Sequence, residues 1–133
     1  MRALLMLLVL VCAPTAWAQE PDIVAEPLCF VVVNTAPWNV YGDFSTDYYT
    51  TPDGIRARHR SNFRLKAPGA QGGADRAEFC SYGPFLPGRK LHLTLRTLVP
   101  LFSCRTRVDA GPIVIKGERD ADGNAKTWAE CYE

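Results

Sequence analysis

Apolar and polar positions alternate along the chain in short runs, most sharply from Lys90 to Thr97, where Leu91, Leu93 and Leu95 face one way and His92, Thr94 and Arg96 the other. A period of two describes an extended strand with one face in a core. Trp38 to Asp47 reads the same way, with Trp38, Val40 and Phe44 on one side and Asn39, Tyr41, Asp43 and Asp47 on the other. From Ile55 to Ala67 the pattern is cleanest and most lopsided. Ile55, Ala57, His59, Ser61, Phe63, Leu65 and Ala67 form the inward side, and Arg56, Arg58, Arg60, Asn62, Arg64 and Lys66 form a cationic outward side. Leu28 to Val33 is apolar throughout, and its aromatic and β-branched content predicts a central strand buried on both faces. Ala77 to Tyr82, Leu101 to Val108, Pro112 to Glu118 and Ala125 to Tyr132 complete about eight short strands, with no convincing helix.

Turn chemistry separates these runs. Thr51-Pro52-Asp53-Gly54 places proline and glycine where a tight turn wants them, and Asp120 to Asn124 closes a hairpin. Pro100 ends the Lys90 run. The segment from Ala67 to Ala74 is rich in glycine and alanine, buries little, and reads as a surface loop. It lacks the following helix and Lys-Ser/Thr pair that a phosphate-cradling loop requires. Short strands with frequent turns point to an antiparallel β-sandwich of seven or eight strands, with a small β-barrel as the alternative.

The first 18 residues change the picture of compartment. Arg2 precedes an apolar run from Ala3 to Ala13 and the small-x-small site Ala16-Trp17-Ala18, the pattern of a secretory signal peptide. Cys12 is not in a lipidation context, because Val11 before it is too large. Cleavage leaves residues 19–133 as a single exported domain without a transmembrane segment, periplasmic in a Gram-negative cell. The mature chain keeps Cys29, Cys80, Cys104 and Cys131, an even set in an oxidising compartment. Two disulfides are expected rather than zinc, since no closely spaced cysteine pair exists. Three connectivities are open to four cysteines. Cys29–Cys80 with Cys104–Cys131 is preferred, because each bond would staple one end of the chain to the strands nearest it.

Charge is informative only in its distribution. Gln19 to Gly54 carries six acids and no Lys or Arg, Ile55 to Arg107 carries eleven bases and two acids, and Val108 to Glu133 carries three bases and six acids. The basic middle proposes a binding strip of Arg56, Arg58, Arg60, Arg64 and Lys66, with Tyr48 and Tyr49 at its rim. Same-face neighbours about 7 Å apart repel by about 0.6 kcal/mol in water, so a folded domain tolerates the strip without a ligand. If the Pro-Asp-Gly turn pairs the flanking strands, Asp43 and Asp47 lie on the matching face and neutralise part of it.

The chemistry this supports is binding. Anionic polysaccharide, lipopolysaccharide or an acidic protein surface would fit the strip, and nucleic acid is disfavoured for a chain that is neutral after cleavage. His59 is expected partly buried and His92 outward; neither has further ligands for a metal. Asp120, Asp122 and Asn124 fail the calcium-loop pattern, having Ala125 where glycine is needed and Cys131 where glutamate is. No nucleophile, zinc or acyl-transfer motif is present, and the cysteines are committed. A non-catalytic exported binding module without cofactor or metal is therefore the favoured reading. A small hydrolase using carboxylates such as Asp43 and Glu78, or a structural subunit of a cell-envelope assembly, are the alternatives.

Overall fold

The computed structural model describes residues 27–133, so the expected signal peptide at residues 1–18, with Cys12, lies outside the described residues. Ten strands follow in chain order: β1 (Leu28–Asn34), β2 (Val40–Ser45), β3 (Tyr49–Thr50), β4 (Arg56–Ala57), β5 (Arg60–Leu65), β6 (Arg76–Ser81), β7 (Lys90–Arg96), β8 (Pro100–Arg107), β9 (Ile113–Arg119) and β10 (Ala125–Glu130). Eight of them form two open four-stranded sheets, sheet A in the order β10-β9-β1-β6 and sheet B in the order β5-β2-β7-β8. The sandwich reading stands and the closed barrel does not. β3 and β4 make a separate two-stranded ribbon.

Alternation built these sheets as expected. Leu91, Leu93 and Leu95 of β7, Val40 and Phe44 of β2, Phe63 and Leu65 of β5, and Phe30, Val32, Ile113 and Ile115 of sheet A are all buried in one core. Phe30 and Phe44 meet edge to face across the sheets with ring centroids 5.1 Å apart, and Phe63 and Phe79 extend the cluster. Asn34, also buried, serves as a polar hub. Its amide donates to the Trp38 and Lys66 carbonyls at 2.8 Å each, and its Oδ1 accepts from the Ala36 amide at 2.9 Å.

Four expectations need correction. The run from Ile55 to Ala67 is two segments, β4 and β5, because Thr46 interrupts the ladder: the His59 amide donates to Thr46 Oγ1 at 2.9 Å and the Thr46 amide donates to the His59 carbonyl at 3.0 Å. Upstream of this break the chain leaves sheet B for the ribbon, so Ile55 and His59 are exposed, and Ser61 at the start of β5 is exposed as well. β1 is interior to its sheet, yet only its core face is fully buried; Val31 and Val33 on the other face are half-buried. β1 and β9 run parallel, making sheet A mixed rather than wholly antiparallel. Pro100 opens β8 instead of ending a run, which suits an edge strand that can spare one amide.

Both disulfides have the preferred connectivity. Cys29–Cys80 joins residues directly opposite in β1 and β6. Cys104–Cys131 ties β8 of sheet B to the residue after β10 of sheet A, so it crosses the sandwich. No helix among the described residues is long and apolar enough to cross a membrane.

Candidate basic face

Residues that alternate away from the core form two outer faces, and the strand order gives them opposite character. Sheet A presents Arg76, Lys116 and Lys126 against Glu78, Glu118 and Glu130, a balanced set in which Lys116 pairs with Glu130. The strands of sheet B present Arg60, Arg64, Lys90, Arg96, Arg105 and Arg107, with Asp43 as their one acid; Asp109, just beyond β8, pairs with Arg107 at 3.1 Å. The excess of cations is gathered on one face of the molecule.

At the middle of that face Asp43 is 4% exposed. It projects from central strand β2, with Asn62 of β5 and Thr94 of β7 opposite it in the two ladders. Arg60 Nη2 lies 3.1 Å and Arg96 Nε 2.8 Å from its Oδ2. Both approaches are ion contacts rather than aligned hydrogen bonds, and Asp43 Oδ2 and Arg96 Nε are closed off from solvent. Each guanidinium carries five N–H donors, so pairing through one nitrogen leaves others for a ligand. Asp43 thus holds two arginines in place while consuming little of their donor capacity.

Around this pair lies an open depression of about 630 Å³ whose wall includes Arg58, Arg60, Arg96, Arg105, His92 and Tyr48. Asp47 joins Asp43 as its acids, so four arginines face two carboxylates and two positive charges are in excess. Ser45, Thr94 and Ser103 add hydroxyls. Arg56 and Arg58 both lie over the Tyr48 ring, at 4.3 and 4.8 Å from its centroid. Stacking of this kind at exposed sites contributes about 0.5 to 1 kcal/mol and leaves the guanidinium edges free to donate.

The proposed strip is therefore divided. Arg58, Arg60 and Tyr48 line the depression, and Arg56 reaches it only through Tyr48. Arg64 lies over Tyr41, 5.2 Å from its centroid, farther along the same sheet face. Lys66 lies beyond the end of β5, half-buried, its stem beside Gly73. Tyr49 stacks on His59 with its hydroxyl 3.2 Å from Nε2, which orders the ribbon and keeps both rings apart from the Asp43 pair. Arg96 and Arg105 were missing from the strip, although alternation already marks Arg96 as outward-facing. Asp43 and Glu78 lie on the outer faces of opposite sheets, so this carboxylate pair does not converge.

A second depression, of about 470 Å³, adjoins the first and shares Arg96 with it. Tyr41, Asn62, Thr97 and Leu98 contribute to its wall. Beside it the β7–β8 turn carries Leu98 and Val99, and Leu101 follows at the start of β8, all exposed. Among the described residues one cluster has metal-ligand donors, Cys29, Cys80 and Glu78, but its two sulfurs are joined in a disulfide and offer no thiolate.

No protein-family model, curated protein or solved structure matches the chain.

Proposed function

We propose that this chain is an exported, non-catalytic binding module that takes an anionic partner on the outer face of sheet B. The observation that carries the reading is the asymmetry of the two faces: balanced charge on sheet A, and on sheet B six bases against the buried, already paired Asp43, with Asp47 at the margin and Asp109 paired to Arg107. Stability alone would favour spreading like charges, because same-face cations repel. Collecting them around an open depression is favourable when an anion occupies it, and the free guanidinium donors suit carboxylate, sulfate or phosphate oxygens. Electrostatic association of this type weakens as salt screens the face.

Retention on a heparin column tests the proposal. Wild type is expected to bind at low salt and elute as salt rises. The Arg58→Gln/Arg60→Gln/Arg105→Gln variant should elute earlier, and equal elution of the two proteins would overturn the reading. A cooperative thermal transition of the variant, lowered only by the loss of the Arg60–Asp43 pair, would show that lost charge, not lost fold, is responsible.

A further inference from the structure

The two depressions on sheet B differ in chemistry and share a wall. One is cationic and polar, centred on Asp43 and its arginines. The other is bounded by the Tyr41 ring and by Leu98, a side chain that projects clear of the protein at 102% relative exposure. Arg96 belongs to both. Val99 and Leu101 extend the apolar end around the β7–β8 turn, so four of the large exposed apolar or aromatic side chains gather in one place. An apolar cluster beside a polar rim marks an interaction surface.

The surroundings narrow the partner. The hairpin from Lys90 to Arg107 contains no acid: its shaft carries Lys90, His92, Arg96, Arg105 and Arg107 outward, and its tip is Thr97-Leu98-Val99-Pro100-Leu101. Arg64 lies over the Tyr41 ring and Arg119 over the Trp38 ring, and both rings share a depression with Thr97 and Leu101. Asp75 of the β5–β6 loop and Asp120 and Asp122 of the β9–β10 turn are the acids at this end of the sandwich among the described residues. Aliphatic tip, amphipathic rings and basic flanks are the combination that seats in an anionic membrane surface, where acyl chains take the tip and headgroups take the cations.

Resting on the anion-binding reading above, we infer that the anionic partner is the lipid of a bilayer surface, met by the β7–β8 tip and by the arginines beside Arg96. A free lipid is disfavoured because both depressions are open and would leave its chain in water, whereas a bilayer keeps the chain and receives Leu98 and Val99.

Co-sedimentation with vesicles of phosphatidylglycerol or of phosphatidylcholine, run beside the heparin column, tests this. Wild type is expected to sediment with the first and not the second. Leu98→Ser/Val99→Ser should lose at least about tenfold in vesicle affinity with unchanged heparin elution, since neither side chain is part of the core. Equal sedimentation of this variant and wild type, or no wild-type binding to phosphatidylglycerol, would overturn the lipid inference while heparin retention left the anion reading standing. Equal binding to both vesicle types would remove the charged component. A wild-type oligomer that the same variant dissociates would make the tip a self-association surface and also overturn the inference. Failure of wild type to bind heparin would instead remove the parent reading.

Discussion

Asp43→Asn removes a charge and keeps the side chain's size, so it isolates what the buried carboxylate does for the two arginines above it. Over about 3 Å, opposite unit charges attract by about 1.4 kcal/mol in water and about 5.5 kcal/mol at an effective dielectric of about 20. The side chains of Arg60 and Arg96 are 44% and 36% exposed, which pulls each pair toward the lower figure. Burying Asp43 offsets a further part of the attraction. We expect a coupling of about 1 to 2 kcal/mol for each pair, larger for Arg96, whose nitrogen is closer and less exposed. Urea unfolding of wild type, Asp43→Asn, Arg60→Gln, Arg96→Gln and the two double variants measures this by double-mutant cycles. Asp43→Asn alone should cost about 2 to 3 kcal/mol, because both arginines lose their partner. Couplings below about 0.3 kcal/mol for both pairs, or an Asp43→Asn variant as stable as wild type, would refute the anchoring role.

Other sites give independent tests. Gly117→Ala would place a Cβ 2.6 Å from Trp38 Cζ2 and 2.7 Å from Ala36 Cβ, and should lower stability by about 1 to 3 kcal/mol in a urea titration. Asn34→Ala strands the Trp38 and Lys66 carbonyls and the Ala36 amide and should cost about 2 to 4 kcal/mol; a loss under about 1 kcal/mol would mean that water replaces the hub. A thiol assay on the oxidised mature protein should find no free thiol. Removing Cys29–Cys80, which spans 51 residues, should cost about 4 kcal/mol, and removing Cys104–Cys131, which spans 27, about 3.5 kcal/mol in the loop-entropy picture. Hydrogen bonds from the Asn124 backbone and side chain hold the Asp120 carboxyl below its ordinary value of 3.8. Its contribution is thus present above that value and lost as pH falls through the folded one, so the stability gap between wild type and Asp120→Asn should shrink between about pH 5 and pH 2. A constant gap would refute this.

Alternation made most of the fold legible. Each of the eight longer strands has a sequence run with an identifiable core face, and Asp43 could be placed beside Arg60 from hairpin logic alone because the two are local in sequence. What stayed hidden was set at a distance. The break at Arg58–His59 depends on the Thr46 hydroxyl, thirteen positions earlier, and nothing in the Ile55–Ala67 run announces it. The parallel pairing of β1 with β9 depends on how the chain returns after seven intervening strands. Arg96 was visible as an outward residue, but only the order β5-β2-β7-β8 makes it and Arg105 neighbours of Arg58 and Arg60.

That order also explains how a chain with a formal net charge of +1 acquires a polarised surface. The basic stretch from Ile55 to Arg107 supplies β5, β7 and β8, all of which enter sheet B, together with β4 of the ribbon and β6 of sheet A. The acidic later stretch supplies β9 and β10, and these join sheet A, where Glu118 and Glu130 meet Lys126 and Lys116. Strand β2 is the exception that makes the face workable. It comes from the acidic early stretch yet runs through the middle of sheet B, bringing Asp43 under the arginines. A cationic face without that carboxylate would leave Arg60 and Arg96 to repel each other; with it they are held close and still turned to solvent. The same residue therefore reconciles the stability of the sheet with a cationic surface turned to solvent, which is why its removal should weaken the fold.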